Sequence, residues 1–153
     1  DRARAAFVIP DRKALANWTA FLYFQKGITL LYAGQERSCT HRPSLFDKDG
    51  VDWTGEDMTP LLKRLAVLKR NPILTDSRYE VRALPGDILY ASHRRGDRRL
   101  IGVFSVRGNS ALVRVDAADG FYPNLADGGT VEVYEGMVSC QGGPVILEAA
   151  GRA

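Results

Sequence analysis

An amide and a carboxylate directly follow an apolar run of strand length. Residues 28–33 read Ile-Thr-Leu-Leu-Tyr-Ala between Gly27 and Gly34, and Gln35 and Glu36 come next. The run lacks the alternation of a half-solvated strand, which predicts a parallel strand buried on both faces. In parallel α/β folds the carboxyl ends of strands carry the functional groups. Gln35 and Glu36 are therefore predicted to lie at the rim of a site.

The polar loop after this run contains groups that bind ligands or transfer protons: His41, Arg42, Asp47, Lys48, Asp49, Asp52 and Trp53. Long loops of this composition are functional or disordered. Loop carboxylates beside Arg42 and Lys48 are expected to be salt-bridged or solvated rather than to form a catalytic pair with Glu36. Histidine exchanges protons near neutral pH, so His41 is a candidate general acid or base. No Ser or Cys nucleophile motif is near it, so a surface or loop-packing role is expected for His41 and for His93.

Taken in order, Gly27 to Trp53 resembles the end of the catalytic barrel in the alpha-amylase superfamily of glycoside hydrolases (family 13). In that family the eighth barrel strand typically reads Gly, Ile, Pro, apolar residues and then Gly-Gln-Glu. One large subset continues into a loop similar to residues 44–53, Ser-Leu-Phe-Asp-Lys-Asp-Gly-Val-Asp-Trp. The order and spacing of the two halves make the resemblance specific. Thr29 stands where the family usually has proline, and a threonine is compatible with a strand.

The resemblance implies roles for five residues. The start of the chain, Asp1-Arg2-Ala3-Arg4, is similar to the family's motif after its seventh strand, so Asp1 is implied to be the catalytic transition-state stabiliser. A charged residue at a frayed terminus is the alternative for Asp1. Arg4 is implied to orient a carboxylate or contact substrate, or else to be structural. Gln35 and Glu36 are implied to support the site at the rim, while Trp53 stacks on a sugar ring or anchors the loop.

Retaining hydrolysis needs two carboxyl groups about 5 Å apart, which the family takes from its fourth and fifth strands. Nothing in this chain matches those strands, so the chain alone is expected to have no glycosidase activity. The resemblance implies part of an alpha-amylase-like retaining hydrolase that acts on the alpha-glucosidic bonds of an alpha-glucan or maltooligosaccharide. No cofactor is identifiable, although calcium is often bound in this family.

Two helices are predicted in the first half of the chain. The first covers residues 13–26 and presents one face made of Leu15, Trp18, Leu22 and Gln25, with Ala14, Phe21 and Phe24 beside it. Gly27 is placed to end this helix. The second begins at Thr59, a plausible N-cap before a proline. It ends ahead of Pro72, because the residue before a proline is pushed out of the helical region.

After Pro72 the sequence changes to short β-type runs broken by turns, at residues 79–84, 88–93, 100–106, 111–116, 130–134 and 144–148. Short strands at this spacing predict an antiparallel sandwich. The predicted fold is therefore α/β plus all-β. With the resemblance, residues 1–75 are the C-terminal part of a (β/α)8 barrel and residues 76–153 an antiparallel β-sandwich domain.

Composition excludes several classes of protein. The chain has 45% hydrophobic and 25% charged residues with a net charge of +3, as in ordinary globular proteins. Its longest apolar segment, residues 14–24, falls short of the roughly 20 residues that span a bilayer, so no membrane partner is expected. The basic stretch at residues 93–99 is predicted to be a solvated hairpin tip, not a nucleic-acid site. Cys39 and Cys140 form no disulfide or zinc pattern.

A non-catalytic carbohydrate-binding or structural β module is the alternative function. Six aromatic residues of the β region could stack on sugars: Tyr79, Tyr90, Phe104, Phe121, Tyr122 and Tyr134. Most of them lie in strand patterns, where core packing is expected. If the chain carries only part of a barrel, its sheet edge is unpaired. The free chain is then predicted to aggregate or to fold only in part, and a sharp unfolding transition reported by Trp18 would contradict that.

Overall fold

The computed structural model describes residues 3–44 and 46–150. Within these residues the helices are α1 (Ala5–Val8), α2 (Arg12–Phe24) and α3 (Thr59–Leu68), with short 3-10 helices at Gln35–Arg37 and Pro72–Leu74. The strands are β1 (Arg78–Leu84), β2 (Ile88–Arg95), β3 (Arg98–Ser105), β4 (Ser110–Arg114), β5 (Gly120–Pro123), β6 (Thr130–Tyr134), β7 (Met137–Gln141) and β8 (Val145–Ala150).

The strands form two antiparallel sheets. The first sheet has the order β1-β2-β3-β8, and the second has the order β4-β7-β6-β5. In the second sheet Val133 pairs with Val138, and Val138 pairs with Val113. These three valines are buried, so the residues next to them in each strand point to the opposite face. The predicted antiparallel sandwich is confirmed.

The first sheet is the middle layer of the molecule. Its helix-facing side packs Ala91, Leu100, Phe104 and Ile146 with α2 and α3 in one core. Its other side packs against the second sheet in a second core, which contains Ile101, Val103, Leu147, Val113, Val133 and Val138. Alternate residues of a strand face opposite sides, and both sides of this sheet are covered. The sequences of β3 and β8 are therefore almost continuously apolar.

Helix α2 buries Leu15 of the predicted face, together with Ala14 and Phe24, which were predicted beside it, and it also buries Asn17. Its side-chain cap is Asp11, whose carboxylate accepts a hydrogen bond from the Ala14 amide at 2.7 Å. Leu22 is half exposed, whereas Asn17 is fully buried. The Asn17 amide donates to the Gly142 carbonyl at 2.8 Å and its oxygen accepts from the Ser105 amide at 2.7 Å. Asn17 therefore connects the buried side of the helix to the backbone near the ends of β3 and β7.

His93 is a core residue, so the predicted surface or loop role for it is wrong. The side chain is 0% exposed. Its Nε2 donates to the Phe24 carbonyl at the end of α2, and its Nδ1 accepts from the Ser77 hydroxyl, each at 2.8 Å. The ring stacks on Tyr79 with 4.4 Å between centroids. Burial lowers the pKa of His93, and the nearby Lys26 and Lys69 act in the same direction.

The predicted parallel strand over residues 28–33 is not observed. These residues are extended but belong to no sheet, and the side chains of Ile28 and Leu30 are 101% and 85% exposed. No barrel forms within residues 3–44 and 46–150, where every paired strand is antiparallel. The physical reason is that a strand exists only through its neighbours, and the described residues supply none for this segment.

The remaining expectations differ in detail. Thr59 is the first residue of α3 rather than its N-cap. Strands β5 and β7 were not predicted, because β5 has four residues and β7 contains Ser139 and Cys140 among its five. The basic stretch does form a hairpin tip, between β2 and β3. In the described part of the chain, no helix is both long and apolar enough to cross a bilayer.

Candidate functional site

Arg4 joins the start of the chain to the apolar run and to the loop. It is only 6% exposed. Its Nη1 donates to the Ala33 carbonyl at 2.7 Å and its Nε donates to the His41 carbonyl at 2.9 Å. The guanidinium also lies 4.4 Å from the centre of the Tyr32 ring, within the range of a cation–π interaction. A single buried charge therefore holds three segments together.

Gln35 and Glu36 lie in a tight turn, and their side chains accept hydrogen bonds from backbone amides next to them. Glu36 Oε2 accepts from the Gly34 amide at 2.9 Å, and Gln35 Oε1 accepts from the Tyr32 amide at 3.4 Å. The Glu36 carbonyl accepts from the Met58 amide at 2.9 Å, which connects the turn to α3. Both side chains thus shape the backbone at the end of the apolar run.

Two glycines allow this turn to pack. Gly34 has a φ of 90°, a left-handed conformation that L-residues rarely adopt. A Cβ there would lie 2.7 Å from Val51. A Cβ on Gly55 would lie 2.0 Å from the Arg37 carbonyl oxygen. The loop is therefore held against the turn by close approaches at two glycines, to the Val51 side chain at Gly34 and to the Arg37 backbone at Gly55.

The loop carboxylates are bound to the loop itself. Asp49 accepts from His41 Nε2 at 2.7 Å and from the Ser44 amide at 2.8 Å. Asp52 accepts from the Thr54 amide at 2.9 Å and from its hydroxyl at 2.6 Å. Hydrogen bonds from Ser44 and then from His41 lower the pKa of Asp49, and those from Thr54 lower that of Asp52. Asp49 pairs with His41, as expected of a salt-bridged loop carboxylate, whereas Asp52 hydrogen-bonds to Thr54.

Trp53 does not anchor the loop, which was one of its two predicted roles. Its side chain is 54% exposed. An exposed indole leaves one ring face available for a ligand, so stacking on a sugar stays as the role predicted for it.

The structure brings together some of the candidate site residues and separates others. Arg4 and Gln35 line one cavity of about 180 Å³, together with Tyr32 and Cys39. Glu36 and Trp53 do not line it. Asp1 lies outside the described residues, so its predicted catalytic role stays a prediction.

Sequence reasoning missed Tyr32 and the backbone carbonyls that Arg4 binds. A signal for Tyr32 was present, since it is the aromatic residue near the end of the apolar run, two positions before Gly34. The carbonyl contacts leave no sequence signal, because every residue has a carbonyl.

The described residues contain no group of three or more His, Cys, Asp or Glu side chains placed to hold a metal ion. Cys39 and Cys140 are buried free thiols.

Comparison with known proteins connects this geometry to a family. Residues 80–147 match the family model of the bacterial alpha amylase C-terminal domain. An alpha-amylase from Lactobacillus plantarum superposes with a TM-score of 0.90 at 31% identity, over 97% of this chain and 36% of its own. The maltogenic alpha-amylase AmyB from Thermotoga neapolitana gives a TM-score of 0.80 at 20% identity, over 99% of this chain and 40% of its own.

A third structure, the gamma-CGTase of alkalophilic Bacillus clarkii, shares the fold with a TM-score of 0.68 at 18% identity, over 95% of this chain and 24% of its own. A search of curated proteins found no match. The chain spans well under half the length of each of these three structures. The chain belongs to the alpha-amylase superfamily of glycoside hydrolases, and its β region is a domain of the bacterial alpha-amylase C-terminal type.

Proposed function

We propose that this chain is part of an alpha-amylase-like retaining glycoside hydrolase that cleaves alpha-glucosidic bonds in starch-type oligo- and polysaccharides. Residues 1–75 form the last part of its (β/α)8 barrel, and residues 76–153 form its C-terminal domain. The nucleophile and the acid/base belong to barrel strands in the rest of the protein. The substrate is an alpha-glucan or maltooligosaccharide.

The observation that carries this proposal is the buried Arg4 and its two carbonyl partners. Arg4 follows Asp1 by three residues, and its guanidinium bonds to Ala33 and His41 on either side of the Gln35–Glu36 turn. This contact supports a rim at which the Asp1 segment and the turn act on one substrate. Asp1 there accepts hydrogen bonds from sugar hydroxyls, and these bonds strengthen as the ring distorts towards the oxocarbenium-like transition state.

The exposed apolar side of residues 28–33 supports the same proposal. Ile28 and Leu30 are almost fully open to solvent, and a contiguous apolar surface of this kind marks an interaction site. In the intact enzyme the preceding barrel strands pair with this segment and cover both side chains. The segment becomes a strand only when those neighbours are present.

Hydrolysis by the whole protein tests the proposal. The full-length enzyme is incubated with maltoheptaose, and proton NMR follows the anomeric configuration of the first product formed. We expect alpha-configured product, because double displacement retains configuration, and no product from the 153-residue chain. Beta-configured product, or no hydrolysis of any alpha-glucan by the full-length protein, would refute the proposed function.

A further inference from the structure

The core uses most of the aromatic residues in the β region, and two remain on one exposed face. Tyr90 and Phe104 are buried, Tyr79 stacks on His93, and Tyr122 is partly buried in the core between the sheets. Phe121 and Tyr134 are instead 73% and 65% exposed. Core packing therefore does not account for these two aromatic residues.

Phe121 and Tyr134 lie on the outer face of the second sheet. Phe121 pairs with Glu132 across β5 and β6, and Tyr134 follows Glu132 by two residues. The buried Val133 between them points into the core, so Phe121, Glu132 and Tyr134 share the opposite face. Diagonal neighbours of this kind are about 7–8 Å apart. The two rings therefore flank one carboxylate.

The same face carries an open groove of about 750 Å³, which Glu132 and Tyr134 line, whereas Phe121 lies outside its lining. Its lining includes Leu112, Glu132, Tyr134, Met137, Ser139 and Gln141. Leu112 is 71% exposed and pairs with Ser139. Apolar surface next to a carboxylate, a hydroxyl and an amide suits a ligand that has both apolar faces and many hydroxyl groups.

A second carboxylate, that of Asp119, holds together the two strands that present the rings. Asp119, the residue before β5, accepts from the Glu135 and Gly136 amides, each at 2.9 Å. These two residues form the turn between β6 and β7, and Glu135 has a φ of 50°. A left-handed non-glycine residue is costly unless its surroundings hold it. Asp119 thus ties the end of β6, beside Tyr134, to the start of β5, beside Phe121.

The charges of the groove select among polymers. The described residues that line the groove include one cation, Lys13, and three acids, Asp127, Glu132 and Glu135. An acidic excess repels polyanions such as nucleic acids, whereas carboxylates accept hydrogen bonds from neutral hydroxyl groups. The electrostatics therefore match an uncharged, polyhydroxylated chain.

We propose that the outer face of the second sheet, centred on Tyr134, Phe121 and Glu132, is an auxiliary alpha-glucan-binding surface. It rests on the proposed function for the choice of an alpha-linked glucan. The rings stack on the apolar faces of glucose units, and Glu132 and Gln141 bind their hydroxyls. The surface lies on the β domain, apart from the rim that contains Arg4 and Gln35, so it holds a polymer without contacting the bond that is cleaved.

Adsorption of the full-length protein to granular starch tests this surface. Tyr134→Ala and Phe121→Ala are each expected to weaken adsorption about tenfold, the effect of losing about 1.4 kcal/mol of ring contact. Val81→Ala is the matched control, since Val81 is an exposed apolar residue of the β domain that lies on the first sheet, away from the groove. Hydrolysis of maltotriose, which is too short to bridge the two places, should be unchanged in all three variants.

Several outcomes would overturn the surface while leaving the proposed function intact. They are unchanged starch adsorption in Tyr134→Ala and Phe121→Ala, equal weakening in Val81→Ala, and equal adsorption to granular cellulose. Loss of a dimer in sedimentation of Tyr134→Ala would assign the face to a second copy of the chain. Conversely, ring-dependent starch adsorption without any hydrolysis by the unvaried protein would refute the proposed function and retain the surface.

Discussion

The buried His93 makes a sharp prediction about the stability of the β domain. His93→Phe keeps a ring of similar shape against Tyr79 and Phe24, whose centroids lie 4.4 and 4.9 Å away. It removes the hydrogen bonds to the Phe24 carbonyl and from the Ser77 hydroxyl. Leaving a buried carbonyl unpaired costs about 1–3 kcal/mol. Ser77 is only partly buried and can turn to water, so we expect a loss of about 2 kcal/mol at neutral pH.

The same residue predicts how stability depends on pH. The pKa of His93 is lowered in the folded protein from its ordinary value of 6.5. The unfolded chain therefore binds more protons than the folded chain at pH values just below 6.5. Stability then falls as the pH drops through this window, by up to about 1.4 kcal/mol per pH unit. His93→Phe should lose this dependence, because the phenylalanine at position 93 does not titrate.

Urea unfolding of the full-length protein, followed by far-UV circular dichroism between pH 5 and 8, measures both effects as differences between the unvaried protein and His93→Phe. The chain has two histidines, and His41→Gln is the matched control, because His41 is exposed in the loop and pairs with Asp49. That variant should keep the dependence of the unfolding free energy on pH near 6. If the wild-type protein and His93→Phe show parallel pH profiles, the reasoning about the buried imidazole is wrong.

Three further substitutions test the rim. Arg4→Met should speed amide hydrogen exchange over residues 33–41, because two carbonyls lose a charged donor worth about 1.5–3 kcal/mol each; unchanged exchange there would contradict the role of Arg4 as the link between segments. Thr29→Val should raise the urea midpoint, since the buried Thr29 hydroxyl has no partner among the described residues. Desolvation of this hydroxyl costs about 1–3 kcal/mol, and a lower midpoint in the variant would refute the prediction. Gly34→Ala should lower the urea midpoint through its φ of 90° and the contact with Val51, and an unchanged midpoint would show that the turn can relax.

The predicted partial folding or aggregation of the free chain stays a prediction. The structure adds a physical reason for it, since Ile28 and Leu30 expose apolar surface beside a well-packed pair of cores. Concentration-dependent light scattering that disappears in Leu30→Lys would support this reason. A monomer with a sharp unfolding transition reported by Trp18 would contradict the prediction.

The antiparallel sandwich was predictable because alternating runs and turn residues specify it locally. The runs at residues 79–84, 88–93 and 130–134 lie within strands of the structure. Residues 28–33 were predicted as a strand on equally good apolar pattern, yet they pair with nothing in the described chain. Apolar pattern reports a tendency to be buried, whereas a strand also needs neighbours.

Side-chain partners were harder to predict than elements. Asn17 and His93 are polar residues that pack in the core, because backbone carbonyls and amides far along the chain satisfy them. Arg4 was singled out by resemblance, but its partners are carbonyls at positions 33 and 41. Such contacts depend on tertiary structure and leave no local pattern. The loop carboxylates were expected to be salt-bridged or solvated, and Asp49 does pair with His41 of the same loop.

Hydrolysis of maltoheptaose by the full-length protein carrying Asp1→Asn tests the central claim most directly. The substitution keeps the size of the side chain and removes the charge that stabilises the transition state. We expect kcat to fall by about 1,000-fold, the equivalent of roughly 4 kcal/mol, with an unchanged circular dichroism spectrum. A kcat within a few-fold of the unvaried enzyme would contradict the assignment of Asp1 and, with it, the placement of this chain at the rim of an alpha-amylase-like active site.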